Sequence, residues 1–206
     1  VGVITARGLN IFGNTTGLRA TGISTLSSLK FTDTNIKIGS AALDSLTTGN
    51  NNTAVGENAL TATTTGSNNT AMGDSALTAN TTGNSSAAFG HGALDANTTG
   101  SRNIAVGQNA LGANTTASNN TAVGHDALLS NLTGDYNVAV GSNALDANTT
   151  GTQNVSVGMH ALGGNTTANN NTAIGHDALK SNTTGDQNTA VGSYALDSAT
   201  TAIRNT

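Results

Sequence analysis

A strict period of 17 residues runs from Ile36 to Asn205 without insertion or deletion, giving ten consecutive units. Each reads approximately T-A-V-G-x-x-A-L-x-x-N-T-T-G-x-x-N. Gly holds the fourth place in every unit, from Gly39 to Gly192, and Ala and Leu hold the seventh and eighth. The third place is apolar throughout, as in Ile38, Val55, Met72 and Phe89. An uninterrupted repeat of this kind specifies a quasi-one-dimensional stack in which each unit touches mainly its neighbours.

The unit is too short for a pair of helices, and its Gly, Asn and Thr are poor helix formers. Strand chemistry fits better. In Thr121-Ala122-Val123 and Val138-Ala139-Val140 the first and third residues are β-branched and flank a small one, a period of two. Gly at the fourth place supplies a positive φ for a turn, the Ala-Leu pair starts a second short strand, and N-T-T-G returns the chain. The expectation is therefore an all-β, parallel β-solenoid (a β-roll) of ten 17-residue coils. Each coil has two strands and two turns, and at about 4.8 Å per coil the stack is roughly 48 Å long.

Stacking places equivalent residues above one another. Asn80, Asn97, Asn114, Asn131, Asn148, Asn165 and Asn182 then form a side-chain ladder, with the adjacent Thr pairs forming another. The expected core and turn residues are Val55, Leu60, Val106, Leu111, Val123, Leu128, Val140 and Leu145, with Gly107, Gly124 and Gly141 at the turns. Two large apolar side chains per unit make a thin core. The small residue at the second place, from Ala54 to Ala190, would suit a close approach by the backbone of a neighbouring chain, so we expect an intertwined or closely packed oligomer.

Composition narrows the function classes. Asn and Thr supply about 65 of 206 residues, only 9% are charged, and the net charge is -4. Seven scattered Lys and Arg make no basic stripe for nucleic acid, and no apolar window is long enough to insert into a membrane. Without Cys there is no thiol chemistry or Cys-based metal site. No G-x-S-x-G elbow or carboxylate pair stands outside the repeat, so no catalytic residue and no cofactor are expected. His91, His125 and His176 share the fifth place, but His91 and His125 are two coils, about 10 Å, apart, too far for one zinc ion. Asp74, Asp126 and Asp177 supply too few oxygens for calcium. Sequons such as Asn80-Thr81-Thr82 could accept glycans. Thr pairs such as Thr81-Thr82 could face ice or a crystalline polysaccharide, although neighbours on a strand point to opposite sides, so only one of each pair can share a surface.

The unit A-V-G-x-x-A-L, as in Ala105-Val106-Gly107-Gln108-Asn109-Ala110-Leu111, resembles the head repeats of YadA-like trimeric autotransporter adhesins and the Asn/Thr-rich arrays of phage tail-fibre proteins. The likeness covers about four-fifths of the chain. It implies a left-handed homotrimeric β-roll fibre that attaches to a host-surface receptor, glycan among the candidates, either on a virion tail fibre or on a bacterial cell surface. The unit here is longer than the usual head repeat by its N-T-T segment. Residues 1–35 differ: Gly2-Val3-Ile4-Thr5 recurs as Gly22-Ile23-Ser24-Thr25, a 20-residue repeat of alternating apolar residues like the β-rich shafts of phage fibres. The domains are thus a shaft-like segment, 1–35, and the repeat region, 36–206, and the balance leans to a phage fibre. The chain stops at Thr206, where an eleventh unit would begin, so we expect it to continue in a longer protein.

Overall fold

A computed structural model describes residues 34–206; the shaft-like strands expected in 1–35 fall almost wholly outside them. The described residues form ten three-residue strands and no helix: β1 (Ile36–Ile38), β2 (Thr53–Val55), β3 (Thr70–Met72), β4 (Ala87–Phe89), β5 (Ile104–Val106), β6 (Thr121–Val123), β7 (Val138–Val140), β8 (Val155–Val157), β9 (Thr172–Ile174) and β10 (Thr189–Val191). All pair in parallel, in chain order, in one sheet. The register is one full unit at every step, so Thr121 lies beside Val138, Ala122 beside Ala139 and Val123 beside Val140. This is the β-solenoid expected from the period.

The second strand expected at the Ala-Leu pair is absent among the described residues; that segment is a run of turns. The reason is local. The sixth residue and the eighth both lie in the left-handed region, as in Asn109 (φ 54°) and Leu111 (φ 54°), or Asp126 (φ 55°) and Leu128 (φ 53°). Left-handed residues at every second position cannot continue an extended strand. They curl the chain inward and aim the leucine at the coil axis. Backbone bonding between coils nevertheless continues through this segment: Leu111 N–H donates to Ala127 O at 3.0 Å and Asp126 N–H to Gln108 O at 3.0 Å.

The core is narrower than the sequence suggests. It consists of Ala at the second and seventh places and Leu at the eighth, with Leu60, Leu111, Leu128 and Leu145 wholly buried. Val55, Val106, Val123 and Val140, expected among the core formers, instead point outward from the sheet; Val106 is 38% and Val140 36% exposed. Alternation on a strand permits only one of the two faces to point inward, and Ala takes it. A coil of 17 residues has room for one large side chain and two methyl groups at its centre. Ala54, Ala122 and Ala139, read as room for a neighbouring chain, are therefore enclosed by their own coil.

A left-handed leucine carries backbone strain that only burial offsets. Leu128→Ile and Leu128→Met keep the volume, but a β-branched residue tolerates this φ poorly. We expect the isoleucine variant to be less stable than the methionine variant by roughly 1–2 kcal/mol. Thermal melting of the two checks this; equal midpoints would contradict the left-handed assignment.

Candidate interaction surfaces

Buried asparagine, unusual in a protein interior, fills the rest of the coil and forms two ladders along the stack. At the eleventh place, Asn131 Nδ2 donates to Asn114 Oδ1 at 3.0 Å, and Asn148 Nδ2 donates to Asn131 Oδ1 at 2.8 Å. This is the ladder read from the sequence. Its neighbours at the same place are Thr63 before Asn80 and Ala199 after Asn182; Asn182 Oδ1 is buried without a partner because no amide follows it, and Thr63 Oγ1 because Asn80 Nδ2 bonds to Gly83 O instead.

The second ladder, at the seventeenth place, was not anticipated, although the Asn closing most units is its signal. There the side-chain oxygen takes the backbone N–H of the next coil: Asn137 N–H donates to Asn120 Oδ1 at 2.8 Å. The amide reaches across to the fourteenth place, Asn120 Nδ2 to Gly134 O at 2.9 Å, and that carbonyl also accepts from Asn131 Nδ2 at 3.0 Å. The return turns at Gly83, Ala117, Gly134, Gly151 and Ala168 are thus clamped from inside by both ladders. Ser86, standing where the other units have Asn, keeps the backbone link through Asn103 N–H to its Oγ at 3.2 Å.

The Thr pair divides its labour. The first hydroxyl donates to the carbonyl of its counterpart one coil on, as in Thr98 Oγ1 to Thr115 O at 3.0 Å. The second Thr is exposed in every coil, from Thr48 to Thr201.

The outward side of the sheet is the most apolar surface among the described residues. Twenty side chains face out from its first and third places, and none is charged. Five of the first-place residues are Thr; the rest of the face is Ala, Val, Ile, Met and Phe. Met72, Phe89, Ile104, Val106, Val140 and Ile174 are each more than a third exposed. A strip about 10 Å wide and 48 Å long presents on the order of 500 Å² of continuous surface, at the upper end of what monomers leave in water.

The charged residues lie elsewhere. His91 Nε2 is 3.8 Å from Asp74 Oδ2, His125 Nδ1 is 3.2 Å from Asp126 Oδ2, and His176 Nδ1 is 3.6 Å from Asp177 Oδ2. The histidines stay on separate coils, and among the described residues no three His, Asp or Glu converge on a metal site. The sequon asparagines of the inner ladder, Asn80 among them, are wholly buried, so the folded coil offers no acceptor there. No protein-family model matches the chain, and no significant similarity to a curated protein or a solved structure was found.

Proposed function

We propose that this chain is a stiff structural segment of an attachment fibre and that it assembles as a homotrimer through the outward side of its sheet. The observation that carries the reading is that uncharged strip, repeated at every coil. Three copies arranged about a common axis would bury it as an interior shared between chains, in the way that obligate interfaces resemble a bisected core. The A-V-G-x-x-A-L unit supports the same reading through its likeness to trimeric adhesin heads and phage fibres, and the repeat of 1–35 favours a phage tail fibre over a bacterial surface adhesin. The task is mechanical: to extend and stiffen the organelle and to hold receptor-contacting turns, glycan-directed ones among them, at a distance from the particle or cell.

Light scattering coupled to size exclusion tests the assembly. We expect a mass of three times the 20.2 kDa chain, falling toward the single-chain mass in a Val123→Asp, Val140→Asp double variant, which places three pairs of carboxylates in the shared interior. A folded monomer for the parent chain would overturn the reading.

A further inference from the structure

We propose that the return-turn surface, built by the thirteenth and fifteenth residues of each coil, binds the crystalline face of ice. This does not rest on the fibre reading; the two surfaces share no residue.

Three observations carry it. The first is an exposed residue that is identical ten times over. The other invariant places have internal reasons: Gly at the fourth has φ between 127° and 149°, and Ala and Leu at the seventh and eighth build the core. Thr at the thirteenth is exposed in all ten coils, and among the described residues its hydroxyl bonds to nothing within the chain. Its neighbour at the twelfth, with a hydroxyl that does bond internally, nonetheless yields to Leu132. Places that face water without such a job vary freely, as the fifth does from Glu57 to His91 to Met159.

The second is a parallel row two residues on, separated from the first by the buried fourteenth residue. Its members are short and polar from Asn50 to Asp186. They are fixed in place because their side-chain oxygens accept the backbone N–H of the preceding coil: Ser67 N–H donates to Asn84 Oδ1 at 2.8 Å, Ser101 N–H to Ser118 Oγ at 3.0 Å, and Thr152 N–H to Asn169 Oδ1 at 2.8 Å. Between the two rows the fourteenth-place carbonyl is held by asparagine amides, by both ladders at Gly83, Ala117, Gly134, Gly151 and Ala168.

The third is the chemistry. The rows repeat at the coil spacing of about 4.8 Å, close to the lattice repeat of hexagonal ice along one axis. Each step offers a methyl and a hydroxyl, and Asp135 and Asp186 are the acidic residues in the two rows. A ligand matched by such a surface is itself periodic, uncharged and hydrogen-bonding in two dimensions. Ordered water meets all three conditions, and a rigid array needs little further ordering when it docks. The rows contain no aromatic face on which a sugar ring could stack.

The test uses the 206-residue chain in its native assembly, with growing ice as the probe. Thermal hysteresis and enrichment of the protein in a slowly grown ice fraction are expected for the parent. The exposed double variant Thr116→Lys, Thr133→Lys should lose both while keeping its melting curve and solution mass, and Gln108→Lys, on the turn at the fifth place, should keep both. Absence of hysteresis and enrichment in the parent overturns the proposal, as does full activity in the double variant. Retention on crystalline chitin or cellulose without enrichment in ice overturns it in favour of a polysaccharide. None of these outcomes alters the solution mass, so the fibre reading stands or falls separately.

Discussion

Gly124→Val is expected to lower the melting midpoint sharply, with a loss of at least ~3 kcal/mol per chain. Gly124 has φ 139°, a region that side-chain-bearing residues almost never occupy. Strain is only part of the effect. A Cβ at this place would stand 2.4 Å from Gly141 O and 2.6 Å from Gly141 C, both backbone atoms of the next coil. A Cβ at Gly107 would meet the backbone of Gly124 in the same way. No rotamer relieves a backbone contact, so the coil must separate from the one that follows, and the bond from Gly141 N–H to Val123 O, 2.8 Å, goes with it. Thermal melting followed by circular dichroism reads the result. An unchanged curve would mean that the turn register is wrong.

The second large effect concerns the inner ladder, and its sign depends on pH. In Asn131→Asp the amide that donates to Asn114 Oδ1 and Gly134 O is replaced by an oxygen that repels both, while Asn148 Nδ2 still has an acceptor. The site is wholly buried, so desolvation raises the carboxyl pKa in the folded state above its unfolded value near 3.9. A group raised in this way favours the fold where it is protonated. Stability is therefore expected to be best at acid pH, where the neutral acid can still donate one bond, and to be lost as pH rises through the folded pKa. At pH 7 we expect a deficit on the order of 3 kcal/mol against the parent. Melting curves from pH 3 to pH 8 check it, with Asn131→Leu as the pH-independent control. A pH-independent deficit in Asn131→Asp would show that the carboxyl reaches water.

Much of the fold was legible because the repeat leaves few choices. The period alone sets parallel pairing and a one-unit register, and the recurring Asn at the eleventh place reveals one ladder. What was misread depends on which way a short strand faces. Val106 and Ala105 are both apolar, and hydrophobicity favours the larger as the interior residue. Coil size reverses this, because a 17-residue loop closed by left-handed Asn109 and Leu111 encloses too little space for a valine as well as a leucine. Those left-handed leucines carry no sequence signal of their own: Leu at positive φ is uncommon, and only the packing enforces it. The same error of direction concealed the outward strip, since valines assigned to the core were not available to cover a partner. The fourteenth-place carbonyl, where two asparagine ladders meet, could not be read from the chain at all, because it depends on contacts from two different coils.

The internal bonds of each coil are repeated at an offset of seventeen residues, and this makes length an inherited quantity that can change without redesign. Duplicating or deleting one whole unit would leave each remaining asparagine with its partner and lengthen or shorten the rod by one step. A change that is not a multiple of seventeen would set unlike residues beside one another at the altered coil and interrupt both ladders there. Rod length can thus change by whole coils without altering a contact inside the coils that remain.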